Sequence, residues 1–272
     1  TSGTVEITEN GNSEIGIVDQ LNLYVWNYVT GEFSITDVQG ITPITTATIE
    51  GFTAVGNIHS NTFYYSSVND MKTFPLTNSG EIGGDELIKL HAFNGMLFVF
   101  GKNQTRIWTN RGLAINPLAY DPTLVIEYGC LNSNSVASGF GLLAWVAVSS
   151  ESNATLVASQ GGEPQSLIAE DQEGIDYLLS ILEQPEDCSG FIFQEDGHIF
   201  YQITFAYDQL TLTYDFTSKS FLNVSDNDLG AHIAKKIVRY NNAYYFVSYL
   251  DTKIYEMGSK FTTYDGEIIP RV

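Results

Sequence analysis

Short apolar segments that follow a turn-forming residue recur along the whole chain. In each, an Asn or a Gly precedes a run of aromatic and aliphatic residues that is typical of a β-strand. The six repeats begin at Asn22, Asn61, Gly95, Gly141, Gly197 and Asn242. The intervals between them are 39, 34, 46, 56 and 45 residues, close to the length of one four-stranded blade. The pattern predicts an all-β fold, a β-propeller of about six antiparallel blades.

A second short strand follows a polar turn in the last four repeats, which is typical of a β-hairpin. These second strands are expected at residues 105–108, 155–158, 210–214 and 252–255. A lone hairpin cannot bury its faces, whereas blades set radially bury both faces against their neighbours. A β-sandwich with similar hairpin spacing is the alternative fold.

Bulky aromatic residues mark the repeats. We expect Tyr24, Phe63, Phe98, Phe200 and Tyr245 to fill the interfaces between blades, each at the same position of its blade. If the ring of Phe200 is buried, its replacement by alanine should lower the free energy of unfolding by about 3 to 5 kcal/mol.

Residues 170–184 depart from the strand pattern and predict a short helical insertion. Apolar residues with the spacing of one helical face occur at Ile175, Leu178, Leu179 and Leu182. Pro185 ends the pattern, and acidic residues stand at its start, where the helix dipole favours them. The insertion accounts for the longest interval of 56 residues.

The length of 272 residues suits one all-β domain, because barrels and propellers of this size commonly fold as one unit. We expect residues 1–272 to form a single propeller domain. Because the chain begins at Thr1 rather than Met, we also expect it to be part of a longer protein. A strand at residues 4–8 is expected to pair with residues 267–271 and remove the last open edge.

The charge balance is strongly acidic, with 12 Lys and Arg against 32 Asp and Glu and a net charge of −20. Such a surface repels phosphate backbones and anionic lipid headgroups, so extensive DNA wrapping and membrane binding are not expected. No apolar run approaches the roughly 20 residues that span a bilayer. The two cysteines, Cys130 and Cys188, fit neither a disulfide framework nor a zinc motif, and we expect buried thiols.

No pattern of residues indicates a catalytic, cofactor-binding or metal site. The four histidines are His59, His91, His198 and His232, and none has the spacing that places two ligands on one helix face. The nucleophile elbow, the Walker loop and the dinucleotide-binding loop are absent from the sequence. The acidic loops at 170–171 and 226–228 lack the calcium-loop motif, and we expect them to be solvated. We expect His198 to be a turn or core histidine held by hydrogen bonds.

Parts of the chain from about Gly83 onward resemble a known protein family. The segment 197–205, Gly-His-Ile-Phe-Tyr-Gln-Ile-Thr-Phe, followed by Thr213-Tyr214-Asp215, is the best match. Further matches lie at 100–101, 105–109, 126–130, 135–137, 254–256 and 265–266. In order and spacing they resemble the packaged-DNA stabilisation proteins, or tail accessory factors, of short-tailed bacteriophages. Two positions depart from the family pattern, Phe221 in place of a Trp and Arg106 before Trp108 in place of an acidic residue.

The resemblance implies a structural virion protein of the phage tail, assembled in the cytoplasm of the bacterial host. It implies a hub of six copies below the portal and adaptor that blocks the channel and stabilises the packaged DNA. It also implies contacts with the tail needle and tailspike, and neither catalysis nor a cofactor. An acidic channel surface would repel DNA and let it slide during ejection. From the residues alone, a carbohydrate-binding propeller or glycosidase and a scaffold propeller for host proteins stay open as alternatives.

Overall fold

The computed structural model describes residues 4–148, 154–168, 173–225, 230–258, 260–261, 263–264 and 267–268. The chain divides into two compact units. Unit 1 comprises Thr1–Cys130, Val148–Ser152 and Gly161–Glu163, and unit 2 comprises Leu131–Ala147, Asn153–Gln160 and Pro164–Val272. The expectation that residues 1–272 form a single domain stays a prediction.

Unit 1 contains three four-stranded antiparallel sheets, in each of which sequential strands are neighbours. Blade 1 consists of β1 (Glu6–Glu9), β2 (Glu14–Val18), β3 (Leu23–Asn27) and β4 (Phe33–Thr36). Blade 2 consists of β5 (Pro43–Ile49), β6 (Phe52–Asn57), β7 (Thr62–Tyr65) and β8 (Ser79–Glu81). Blade 3 consists of β9 (Leu87–Phe93), β10 (Met96–Gly101), β11 (Thr105–Asn110) and β12 (Leu118–Ile126), and the short strand β13 (Gly129–Cys130) follows it.

Unit 2 contains three further antiparallel sheets and the helix. Blade 4 consists of β14 (Ala137–Gly139), β15 (Leu142–Val148), β16 (Ala154–Ser159) and β17 (Gln165–Ser166), and a 3-10 turn at Ser133–Ser135 precedes it. The helix α1 spans Glu173–Ser180. Blade 5 consists of β18 (Cys188–Glu195), β19 (His198–Phe205), β20 (Leu210–Asp215) and β21 (Ser220–Asn223). Blade 6 consists of β22 (Ala234–Tyr240), β23 (Ala243–Ser248) and β24 (Ile254–Met257), and a hairpin of β25 (Thr263–Tyr264) and β26 (Glu267–Ile268) follows.

These six sheets are the blades of a β-propeller fold, as the sequence predicts, and they exclude the alternative of a β-sandwich. The predicted second strands at 105–108, 155–158, 210–214 and 252–255 correspond to β11, β16, β20 and β24. The pairings between consecutive blade strands whose register is described are antiparallel, an arrangement that short connections can join.

A two-residue turn joins the first and second strands of blades 2 to 6. Both residues of each turn have positive φ, as a type I′ hairpin requires. The pairs are Glu50-Gly51, Asn94-Gly95, Phe140-Gly141, Asp196-Gly197 and Asn241-Asn242. Gly and Asn reach this conformation at low cost, so this turn is the physical basis of most of the repeat in the sequence.

The expectation that all six repeats occupy the same blade position is wrong for the first two. Asn22 and Asn61 precede β3 and β7, the third strands of their blades, whereas the other four anchors precede second strands. The second strands begin at Glu14, Phe52, Met96, Leu142, His198 and Ala243. Counted this way the intervals are 38, 44, 46, 56 and 45 residues, which removes the unusually short interval of 34.

The hydrophobic core of each unit lies between neighbouring blades. In unit 1, Phe63 and Leu97 belong to a cluster that blades 2 and 3 share. In unit 2, Tyr201 and Leu156 belong to a cluster that blades 4 and 5 share. Cys130 and Cys188 are buried free thiols, as the sequence predicts.

The aromatic residues expected at blade interfaces differ in burial. Phe63 and Phe98 are fully buried, but Tyr24, Phe200 and Tyr245 are only half-buried. The fully buried ring beside Phe200 is Tyr201, because adjacent strand residues point to opposite faces. The condition for the expected cost of Phe200→Ala, a buried ring, is therefore not met.

The predicted helical insertion is present but shorter. Its helix spans Glu173–Ser180, and residues 170–172 lie outside the described residues. Leu179 is buried in the core of unit 2, with Ile175, Leu178 and Leu182 packed against the same cluster. The helix therefore packs on the core of unit 2 through the apolar face that the sequence predicts.

The predicted strand at residues 4–8 corresponds to β1, which pairs with β2. Residues 267–268 pair with 263–264, and residues 269–271 lie outside the described residues. The pairing expected between the two ends of the chain stays a prediction.

Candidate functional site

A buried ion pair joins the first strands of the three blades in unit 1. Lys89 of β9 donates from Nζ to Oε1 of Glu6 in β1 over 2.5 Å, and the two side chains are only 13% and 11% exposed. Oε2 of Glu6 accepts from Oγ1 of Thr45 at 2.7 Å and from the amide of Thr46 at 3.1 Å, both in β5. Thr45 Oγ1 in turn accepts from the amide of Leu90 at 3.1 Å. Both carboxylate oxygens therefore have partners, and the cluster ties β1, β5 and β9 together.

A second lysine makes an equivalent connection in unit 2. Lys236 of β22 donates from Nζ to the carbonyl of Asn134 at 2.8 Å and to the carbonyl of Gly190 at 3.3 Å. Asn134 lies in the turn before blade 4, and Gly190 lies in β18 of blade 5. The third blade of each unit thus reaches the other two through a lysine on its first strand.

The two lysines occupy the same place in their hairpins. Lys89 pairs with Phe100 and lies four residues before Phe93, which pairs across the turn with Met96. Lys236 pairs with Val247 and lies four residues before Tyr240, which pairs with Ala243. Because the register is the same, both side chains leave the strand at the same distance from the turn.

These two lysines were not predicted from the sequence as functional residues. The sequence feature that could have indicated Lys89 is a cation inside an apolar strand, in the segment Ile88-Lys89-Leu90. Cations are scarce in this chain. A buried ammonium needs partners that make up for lost hydration, so such a lysine indicates a tertiary contact. Which partners it finds depends on strands that are distant in sequence.

His198 was singled out in the sequence, and it lies in a hydrogen-bonded cluster at the open end of β19 and β20. Its Nδ1 is 2.7 Å from Oδ2 of Asp215, whose side chain is 6% exposed. The Ser218 hydroxyl donates to the same oxygen at 2.7 Å, and the amide of Thr217 donates to Oδ1 at 2.8 Å. Burial by itself would raise the pKa of Asp215, but the hydrogen bonds, those from Ser218 and His198 foremost, lower this pKa to about 2.

This arrangement holds a turn and does not activate a nucleophile. In a catalytic triad the histidine accepts the proton of the serine and the carboxylate orients the histidine. Here the hydroxyl of Ser218 donates to Asp215 and not to His198. The carboxylate is the centre of the cluster, and it fixes the β20–β21 turn, residues 216–219, against β19.

The other histidines lie apart from this cluster. His232 is buried, with its Nδ1 accepting from the amide of Ala234 at 3.2 Å and lying 3.1 Å from Nε2 of Gln202. His59 is 82% exposed and lies 3.1 Å from Glu86 beside an open cleft of about 560 Å³. The buried Asp85 also lines this cleft, and its carboxylate accepts hydrogen bonds from Asn103 and from the amide of Gln104.

Within the described ranges, no group of three or more His, Cys, Asp or Glu could hold a metal ion. The acidic loops at 170–171 and 226–228 lie outside the described residues. No helix of the described residues is long and apolar enough to cross a membrane.

Solved structures with a similar fold include three propeller-containing enzymes. Hydrazine synthase from Kuenenia stuttgartiensis is 12% identical with a TM-score of 0.56, covering 89% of this chain and 72% of that one. Streptogramin B lyase is 12% identical with a TM-score of 0.56, covering 96% of this chain and 84% of that one. The dihydro-haem d1 dehydrogenase NirN is 9% identical with a TM-score of 0.58; the match covers 99% of this chain but only 56% of NirN. At these identities the likeness shows the fold alone.

The sequence comparisons point to one family. No curated protein matches the chain, but a family model described as "Bacteriophage P22 Gp10, beta-propeller" matches residues 1–260. The match covers almost the whole chain and includes the strands that carry the resemblance noted in the sequence. The chain therefore belongs to this family of bacteriophage structural proteins, the phage DNA-stabilisation β-propellers.

Proposed function

We propose that this protein is a structural component of the phage tail that closes the channel below the portal and adaptor and so stabilises the packaged DNA. In this role a ring of copies, six as the resemblance implies, serves as a docking platform for the tail needle or tailspike. The observation that carries the proposal is the family match over residues 1–260.

The distribution of charge supports a surface that DNA does not adhere to. The net charge is −20, and no Lys or Arg occurs between Arg111 and Lys219, a segment that contains blade 4 and most of blade 5. Of the cations elsewhere, Lys89 and Lys236 are engaged inside their units. A carboxylate-rich surface repels the phosphate backbone, so a plug of this kind blocks DNA sterically and releases it without sticking.

Several further parts of the proposal follow from this role. We expect the protein not to be an enzyme, because its family is one of phage structural proteins and, among the described residues, the cluster of His198, Asp215 and Ser218 holds a turn. Its partners are other virion proteins, and it is assembled in the host cytoplasm and resides in the virion. A glycan-binding propeller or glycosidase is not favoured, since the family is one of phage structural proteins.

The proposal is tested in the phage or prophage that encodes the chain. Particles produced with the gene inactivated should package DNA and then lose it, which is measured as nuclease-protected DNA over time. Adding the purified chain to freshly packaged heads should slow the loss, and adding heat-denatured chain should not. Mutant particles that retain their DNA as well as wild-type particles would contradict the proposed role.

A further inference from the structure

Arg106 of β11 is a cation that has no hydrogen-bond or ion-pair partner among the described residues. Its guanidinium lies over the ring of Tyr120 in β12, with Cζ 5.0 Å from the ring centroid. Its Nε atom is buried and has no acceptor in the part of the chain that the structure describes. A guanidinium carries five N–H donors, and a buried donor without an acceptor is costly. The side chain is therefore free to take an acceptor from outside the chain.

Trp108 adds a second unpaired donor on the same side of β11. Residues two apart in a strand point to the same face of the sheet, and the indole Nε1 of Trp108 is also buried without a partner among the described residues. The indole lies edge-on to Phe63 of blade 2, with ring centroids 5.1 Å apart. Arg106 and Trp108 therefore place two unpaired N–H groups at the contact between blades 2 and 3, within unit 1.

Two glycines of blade 2 make room for the guanidinium. Gly83 follows β8, and its φ of 84° lies in the left-handed region. A Cβ at Gly83 would collide with Nη2 of Arg106, so glycine allows the backbone to approach this closely. Beyond its immediate neighbours, no atom lies within 4 Å of the place that a Cβ of Gly84 would take. The guanidinium is thus flanked by the Tyr120 ring and by glycine backbone, with open space beside Gly84.

Two carboxylates of the same region of unit 1 have other partners. Oδ1 of Asp121 accepts from the amide and the hydroxyl of Thr123 at 3.0 and 2.6 Å, and Oδ2 lies 3.4 Å from Nη2 of Arg111. The carboxylate of Asp85 accepts three hydrogen bonds from the turn between β10 and β11. Neither carboxylate pairs with Arg106.

Arg106 is accessible at the rim of blade 3. The residue as a whole is half-buried, and β12 beside it is the outermost strand of the blade. Trp108 pairs with Tyr120 but Arg106 pairs with Val125, so residues 121–124 lie opposite a single residue of β11. A bulge of this kind disrupts the ladder at a sheet edge. A ligand can therefore approach the guanidinium from solvent.

We propose that Arg106 binds the carboxylate of an acidic side chain, Asp or Glu, of a partner protein. The planar fork of a guanidinium matches the two oxygens of one carboxylate, and Arg beside Tyr and Trp is typical of the residues that dominate protein interfaces. A singly charged carboxylate is favoured over phosphate, because a chain of net charge −20 repels a dianion more strongly. The inference rests on the docking of virion proteins in the proposed function and names the chemistry of one contact.

The test is an NMR titration of the isotopically labelled full chain with a blocked acidic peptide. The chain contains four Arg and three Trp, so the side-chain N–H signals are few, and those of Arg106 and Trp108 are assigned by their loss in Arg106→Gln and Trp108→Phe. Acetyl-Ala-Glu-Ala-amide is added at a constant salt concentration of about 0.15 M. Acetyl-Ala-Gln-Ala-amide is the neutral control peptide, and sodium acetate and sodium phosphate are titrated in parallel. Circular dichroism checks that each variant folds.

A carboxylate site at Arg106 has a distinctive outcome. The glutamate peptide and acetate should shift the Nε–H signal of Arg106 and the Nε1–H signal of Trp108 until they saturate, and the glutamine peptide should shift neither. Followed by the Trp108 signal, Arg106→Gln should weaken binding of the glutamate peptide by about ten-fold or more. Arg106→Lys should weaken it by roughly three-fold or more, since lysine keeps the charge but not the planar fork. The matched control Arg111→Gln removes the same charge from the same hairpin and should change the affinity by less than about two-fold.

Four outcomes would overturn the inference. Equal shifts with the two peptides would show that the carboxylate plays no part. Tighter binding of phosphate than of acetate would make this a phosphate site, and binding of acetate without the glutamate peptide would exclude a side chain of a partner protein. Equal losses in Arg106→Gln and Arg111→Gln would indicate general charge attraction. None of these results bears on whether particles lacking the chain lose their DNA, so the two proposals fail separately.

Discussion

At the scale of single residues, two carboxylates that are largely withdrawn from solvent have hydrogen-bond partners on both of their oxygens. Glu6 receives donors on both carboxylate oxygens, and Asp215 likewise accepts on both. A charge taken out of water is tolerated only with such partners, because its lost hydration would otherwise cost several kcal/mol. These residues are therefore the points at which single substitutions have large effects.

We predict that Lys89→Met destabilises the protein by about 3 kcal/mol. The substitution preserves the volume of the side chain but leaves the Glu6 carboxylate buried without its cation. Chemical denaturation in urea measures the change. The double variant Glu6→Gln with Lys89→Met should recover at least half of the loss, because no uncompensated charge is left.

Lys102→Met is the matched control, since Lys102 is exposed. It should change the stability by no more than about 0.5 kcal/mol. If Lys89→Met and Lys102→Met had equal effects, the buried ion pair would contribute nothing measurable.

The stabilisation by Asp215 should depend on pH. Its folded-state pKa of about 2 lies below the ordinary value of 3.8, so the ionised carboxylate favours the folded state above pH 4 and this contribution is lost as the pH falls toward 2. At pH 7, Asp215→Asn should cost about 1 to 2 kcal/mol, a value below the full linkage energy because His198 is partly exposed to solvent.

Urea titrations of the wild type and of Asp215→Asn at pH 7 and pH 3 test this expectation. The two proteins should differ in unfolding free energy at pH 7, and roughly half of this difference should be lost at pH 3. Asp196→Asn in the exposed turn before β19 is the control. A difference that is the same at both pH values would show that the effect of the substitution does not come from the carboxylate charge.

At the scale of the elements, different physical factors determine the turns within blades and the interfaces between blades. The two-residue turns between first and second strands depend on local conformation, and Gly or Asn stands at the second position of each. Burial at the interfaces depends on which face of a strand meets a neighbouring blade. Phe63 is fully buried and contacts Trp108 edge-on with ring centroids 5.1 Å apart, whereas Phe200 stacks on Phe193 at 5.1 Å but stays half-buried.

We predict that Phe63→Ala costs about 4 kcal/mol of unfolding free energy and Phe200→Ala only about 1 to 2 kcal/mol. The fully buried ring leaves a cavity, whereas solvent can enter the space left by the half-buried one. Both values are measured by denaturant unfolding monitored by circular dichroism. Equal or reversed costs would contradict the burial of these rings.

At the scale of the whole molecule, the scarcity and the placement of cations determine how the protein meets its surroundings. The 12 Lys and Arg are absent from residues 1–71 and 112–218, and four of them lie in blade 3 and four in blade 6. Long segments of the chain therefore carry only negative side-chain charge. Such a protein repels nucleic acid.

We predict that the purified chain does not bind duplex DNA even at about 0.05 M salt, where electrostatic attraction to DNA is strong. Fluorescence anisotropy of a labelled duplex measures this. The same chain with an added polylysine tail serves as the positive control. A complex that dissociates as salt is raised would show that a cationic patch contacts the phosphates, and would argue against a plug that acts sterically.

The sequence by itself determined the fold class, the approximate number of blades and the helix, because these features depend on local patterns of apolar residues and turn-forming Gly and Asn. Its resemblance to the phage family rested on the same strands. Only the tertiary structure decided which strand of each blade the repeats occupy and which rings are buried. It also decided that Lys89 meets Glu6. These features depend on contacts between residues far apart in the chain, and no local pattern encodes which surfaces meet.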